Sequence, residues 1–173
     1  MKDTLQVINQ MQADGVIGQY AIGGAVGATF YLEPAATLDI DIFVSFEHHP
    51  GSSMITLAPI YDYLAKHGGQ TEREHVVIAG WPVQFLPPGG PLEEEAVVAA
   101  IETDVDGLKT RVMTAEHLLA IALKTGRPKD KIRITQFLES GVIDTVKLHQ
   151  ILSRHELLAR WQAFNDKYLG DNA

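Results

Sequence analysis

The chain has 173 residues, 46% of them apolar and 21% charged, with a formal net charge of −8 at pH 7 and no cysteine. This balance sustains one globular domain, or a small domain with a helical appendage, and it excludes a disulfide framework or thiolate metal site. The acidic average opposes broad electrostatic binding to nucleic acid, and no run of ~18 apolar residues marks a membrane span.

The polar opening MKDTLQVINQMQADG lacks the apolar stretch of a signal peptide, so a cytoplasmic protein is expected. Within it Leu5, Ile8 and Met11 recur at helical spacing, and Asp14-Gly15 ends the helix. Tyr20–Ile22 reads as a short strand running into Gly23-Gly24, and AVGATFYL as a short helix stopped before Pro34. LDIDIFVSF alternates like a half-buried strand. ITLAPIYDYLAKHGG is a helix that tolerates Pro59 only in its first turn. HVVIA and WPVQFL, separated by Gly80, predict a hairpin. PLEEEAVVAAI predicts a helix and GLKTRVM a further strand. From Thr114 the pattern turns helical: Thr114 can cap AEHLLAIALKTG, with Glu116 in the first turn where the helix dipole favours an anion. Three more amphipathic helices follow, over 129–141, 144–155 and 156–169. The expected layout is an α/β core over 1–113, with a mixed sheet flanked by helices, and a helical region over 114–173.

The chemistry concentrates in AIGGAVGATFYLEPAATLDIDIFV, Ala21 to Val44. Residues i and i+2 of a strand share a face, roughly 6–7 Å apart. Asp39 and Asp41 therefore point one way, while Leu38, Ile40 and Ile42 point into the core. Two convergent carboxylates repel unless a proton or cation separates them. Hard oxygen donors suit Mg²⁺, which also takes phosphate oxygens, and two such ions can serve an attacking and a leaving oxygen together. Gly23-Gly24, between a strand and a helix, can turn backbone N–H groups toward a phosphate. Each feature alone is weak, since acidic edge strands and glycine turns are common; their order, about 15 residues apart, is more specific. A dinucleotide-binding reading fails, because GGAVGA does not fit G-x-G-x-x-G.

Taken together, IGGAVGATFYL and TLDIDIFV resemble the nucleotidyltransferase fold shared with DNA polymerase β, in its small bacterial form. MTAEHLLAIALKTGRPKDKIRI resembles the region after the core in AbiEii-type minimal nucleotidyltransferases, several of which are toxins. The resemblance spans roughly Tyr20 to Arg133. It implies that Gly23 and Gly24 bind a triphosphate, that Asp39 and Asp41 are catalytic Mg²⁺ ligands, and that a nucleoside monophosphate passes to a hydroxyl of RNA, protein or a small molecule. The family often adds a third acid on a neighbouring strand, to ligate metal and take the nucleophile's proton. Gln84 stands at the matching position here; an amide oxygen ligates a metal weakly and is no base near neutral pH. Glu74 is a substitute that the geometry must admit. The serine that many members carry after the first glycine is also missing. A second reading is therefore a degenerate binding or regulatory module of toxin–antitoxin type, with a partner protein or a second copy. A third is a helical interaction protein on an α/β scaffold.

Leu123–Arg133 carries five of the 14 basic residues. Lys124 and Arg127 are candidate nucleotide-phosphate cations, or else partners of a helix C-terminus. Asp130 is read as an N-terminal dipole partner. None of the histidines, His48-His49 included, shows ligand spacing, and Trp81 and Trp161 are read as packing residues.

Overall fold

The computed structural model describes residues 1–33, 39–45, 57–67, 70–72 and 75–170. It divides into two compact units, Met1–Met113 and Thr114–Ala173. The first unit runs α1 (Lys2–Ala13), β1 (Tyr20–Ile22), α2 (Gly24–Ala28), β2 (Ile40–Val44), α3 (Ala58–Lys66), β3 (Gln70–Glu72), β4 (His75–Ile78), β5 (Trp81–Leu86), α4 (Pro91–Val98), β6 (Ile101–Val105) and β7 (Leu108–Val112). Its strands, among the described residues, form one mixed sheet in the order β3-β4-β5-β2-β1-β7-β6. The β2–β5 and β1–β7 pairs are parallel, and the other neighbours are antiparallel.

Sequence periodicity explains the core. Leu5, Ile8 and Met11 of α1 and Ile60 and Leu64 of α3 join Ile40, Ile42, Val44, Val83 and Phe85 of the two central strands in one buried cluster. In β2 these buried residues alternate with half-buried Asp41 and Phe43. Burying each large aliphatic side chain is worth roughly 1.5–3 kcal/mol. A slip of one residue would bring Asp41 inward and send the isoleucines out, so the alternation fixes the register. Pro59 sits in the first turn of α3, where its missing N–H costs nothing.

Three elements depart from the sequence reading. The strand expected over LDIDIFVSF is observed over Ile40–Val44, with Asp39 immediately before it; Leu38 and Phe46 lie outside the described residues. The helix expected over AVGATFYL is confined to Gly24–Ala28 and followed by a turn. The helix expected over PLEEEAVVAAI stops at Val98, where the Arg111 guanidinium donates to the carbonyls of Val97, Val98 and Ala100 at 3.3, 3.2 and 3.0 Å. Ile101 instead opens β6, opposite Val112. Asp106 and Gly107, both at positive φ, make the two-residue turn from β6 to β7, a mirror-image turn that matches strand twist. Ala79 and Gly80 make the same turn between β4 and β5, as the hairpin pattern predicts.

The second unit contains α5 (Ala115–Thr125), α6 (Pro128–Glu139), α7 (Thr145–Arg154) and α8 (Leu158–Tyr168). Helix α5 packs against the other three, which is why Leu119 and Ala120 are fully buried. Thr114 caps α5 by accepting from the His117 N–H at 3.4 Å. Asp144 caps α7 by accepting from the N–H groups of Val146 and Lys147, both at 3.0 Å.

Candidate functional site

The site is built where β1 ends. All three residues of β1 are buried, and Tyr20 anchors its start: the phenol donates to Asn9 Oδ1 at 2.6 Å and lies 2.9 Å from Thr110 Oγ1. Burial pushes that phenol above its ordinary range, against the opposing bond to Thr110. Ile22 pairs with Ile42 on one side and Val112 on the other. Pairing continues one residue further: the Gly23 N–H donates to the Asp41 carbonyl at 2.9 Å and the Met113 N–H to the Ile22 carbonyl at 3.1 Å. Gly23 is therefore a strand residue in its hydrogen bonding and the N-cap of α2 in its position.

The two glycines are demanded by two different neighbours. A Cβ on Gly23 would lie 2.6 and 2.8 Å from the Phe43 ring carbons and 3.2 Å from Met113 Sδ. A Cβ on Gly24, whose φ is +58°, would overlap Asp41 Oδ2 and lie 2.8 Å from Asp41 Cγ. The Asp41 carboxylate thus fills the space that any side chain at 24 would need. Glycine turn and strand aspartate, separate in the sequence, are in direct contact in the fold.

Gln84 completes the cluster. Parallel pairing puts it opposite Asp41, between Ile40–Val83 and Ile42–Phe85. Paired residues on adjacent strands project to the same face about 4.8 Å apart. Both are half-buried, unlike the buried Val83 and Phe85 that flank Gln84. Asp39 shares the parity of Asp41 and is also half-buried. The structure therefore brings Gly23, Gly24, Asp41 and Gln84 together, with Asp39 two residues from Asp41.

Sequence reasoning missed the walls of this cluster. Phe43, two residues after Asp41 and hence on its face, was findable by parity. Met113 and Tyr31 were not: the Tyr31 hydroxyl donates to the Met113 carbonyl at 2.9 Å, tying the segment after α2 to the end of β7.

Two aspartates and one amide offer only oxygen donors, the chemistry that a hard divalent cation takes. Among the described residues, no group of three or more His, Cys, Asp or Glu side chains is arranged to hold a metal. The donor set suits one cation shared with a ligand and is short of anionic oxygens for a second. Glu74 and His48-His49 lie outside the described residues.

Lys124 and Arg127 belong to the second unit. Lys124 is in the last turn of α5, and its carbonyl accepts from Arg160 at 2.7 Å. Arg127 precedes α6 and grips Asp130 with two bonds, of 2.7 and 3.1 Å. Asp130, buried in the first turn of α6, also accepts from the Arg127 backbone N–H at 3.1 Å and lies 3.7 Å from Arg133. Lys131 donates to the Tyr168 hydroxyl at 3.0 Å.

No protein-family model matches the chain, and no curated protein matches it by sequence. Solved structures do match, and the fold they define is nucleotidyltransferase-like. An antigenic nucleotidyltransferase-like protein from Paracoccidioides brasiliensis is 17% identical, with a TM-score of 0.57 over 92% of this chain and 90% of that one. The antibiotic-resistance factor ANT(2'')-Ia in solution is 14% identical, with a TM-score of 0.53 over 95% and 97%. Its crystal structure in complex with adenylyl-2''-tobramycin is 13% identical, with a TM-score of 0.51 over 95% and 98%. At these identities the likeness is one of fold.

Proposed function

We propose that the chain binds a nucleoside triphosphate together with Mg²⁺ at Gly23, Gly24, Asp39 and Asp41, in the manner of a nucleotidyltransferase. The observation that carries this reading is the packing of the Asp41 carboxylate on Gly24. A phosphate received by the turn and a cation held by the aspartates would share one small volume, as a metal–triphosphate complex requires. Asp39 and Asp41 hold the cation, and Gly24 gives the triphosphate a backbone N–H donor. Gly23, whose own N–H is taken by the Asp41 carbonyl, lets the phosphate approach the turn closely, and the Phe43 ring closes the side of the turn. Mg²⁺, when bound, supplies the positive charge that lets polyphosphate approach two carboxylates and weakens the bond to a departing pyrophosphate.

The acceptor, if the nucleotidyl group is passed on, is a hydroxyl. The ANT(2'')-Ia complex with an adenylylated small molecule supports a small-molecule acceptor over RNA, which the net charge of −8 repels. Lys124 is proposed as a further phosphate cation, whereas the Arg127 guanidinium is already held by Asp130. A second reading, a non-transferring regulatory module of the AbiEii or toxin–antitoxin kind, is favoured by the amide of Gln84 beside Asp41.

Calorimetric titration of ATP, GTP, CTP and UTP with Mg²⁺ tests the site. Asp39→Asn/Asp41→Asn, which keeps side-chain size, is expected to weaken binding at least tenfold, and Lys124→Ala to weaken it by a smaller factor. Unchanged affinity in the double variant would sink the assignment.

A further inference from the structure

We infer that Gln84 limits the Asp39–Asp41 site to a single divalent cation, so that the protein holds a nucleoside triphosphate and does not transfer its nucleotidyl group. This inference rests on the nucleotide-binding reading above and deepens it.

The parallel register makes the case. Asp41 and Gln84 are opposite one another, on one face, in strands whose register is fixed by the buried pairs Ile40–Val83 and Ile42–Phe85. Any cation resting on Asp41 toward β5 meets the Gln84 amide first. That amide offers one neutral carbonyl oxygen, and its other end is an NH₂ that repels cations. Two aspartates carry two negative charges. They serve the one cation that the triphosphate oxygens also hold. A second, seated away from the triphosphate on the acceptor side of Asp41, would need a further carboxylate, and no third acidic side chain joins the pair among the described residues.

The proton balance leads to the same conclusion. In nucleotidyl transfer an acceptor hydroxyl oxygen bonds to the α-phosphorus, the bond from that phosphorus to the bridging oxygen breaks, and pyrophosphate leaves with its electron pair. The hydroxyl proton must go to a base. Aspartates engaged with a cation are poor bases, and a neutral amide accepts no proton near pH 7. As built from the described residues, the cluster can therefore bind the triphosphate while lacking both the second cation and the proton acceptor for the next step.

The experiment compares wild type with Gln84→Glu, an exchange that preserves length and shape. Mn²⁺ bound per chain is counted by electron paramagnetic resonance at saturating non-hydrolysable ATP analogue, and melting is followed in EDTA and in Mn²⁺. Wild type is expected to hold one Mn²⁺ and the variant two. A like charge opposite Asp41 should lower the variant's melting temperature in EDTA by about 2–4 °C, with Mn²⁺ restoring it. Two Mn²⁺ in wild type, one in the variant, or formation of a nucleotidylated product with release of pyrophosphate when wild type is given ATP itself and a hydroxyl acceptor would each overturn the inference. Wild type binding neither analogue nor Mn²⁺ would instead overturn the nucleotide-binding reading itself.

Discussion

Gly24 shows how a residue without a side chain can be a requirement of the site. Its φ of +58° already penalises any L side chain, and the Asp41 carboxylate occupies the space beyond. Backbone strain of this kind costs about 1–3 kcal/mol. Gly24→Ala is therefore expected to lower unfolding free energy in urea by that amount and also to lose Mn²⁺ binding, because Asp41 must move. Gly23→Ala has ordinary backbone torsions and meets an aromatic ring that can swing, so its cation binding should survive better. Equal cation affinity in Gly24→Ala and wild type would contradict the contact. Asp39 and Asp41 were legible because period-2 alternation exposes them between isoleucines. The glycine–aspartate contact was not, since no local pattern records where two segments about 15 residues apart will touch.

Among the elements, α5 carries the clearest electrostatic constraint. Glu116, buried in its first turn, accepts from the Asp144 N–H at 3.1 Å and pairs with Lys147 Nζ at 3.2 Å, joining α5 to the start of α7. Burial alone would raise its carboxyl, but backbone N–H donors at Glu116 and Asp144, with Lys147 and Thr114, outweigh it and hold the group below its ordinary 4.5. A carboxylate depressed on folding stabilises the fold fully above its unfolded value, and that contribution is lost as pH falls through the folded value. Glu116→Gln should cost about 1–2 kcal/mol at pH 7, and the gap to wild type should narrow as pH falls below 4.5. A gap independent of pH between 7 and 3 would contradict this role. The helices α5 to α8 were legible from amphipathic spacing and from caps such as Thr114. The β6 strand was not: apolar Val97, Val98 and Ile101 continue a helical pattern, and only the pairing of Ile101 with Val112 breaks it. Asp106-Gly107 was the local sign of that hairpin.

Charge governs the protein as a whole. A net charge of −8 opposes an anionic nucleotide, and much of the basic stretch near residue 130 is committed internally: Arg127 and Arg133 to Asp130, and Lys131 to Tyr168. On the proposed function, affinity for a triphosphate comes through a cation rather than a general positive field. EDTA is expected to weaken nucleotide binding at least tenfold in a titration at fixed ionic strength, and Mg²⁺ to restore it; undiminished binding in EDTA would contradict a metal-bridged site.

The pairing of Asp41 with Gln84 also has a genetic consequence. Both glutamine codons become glutamate codons by changing their first base, so an acid at 84 is a single point mutation away. If holding the nucleotide, rather than spending it, is the selected trait, related sequences are expected to keep glutamine at this position although glutamate is one base away, and an alignment rich in glutamate there would contradict it.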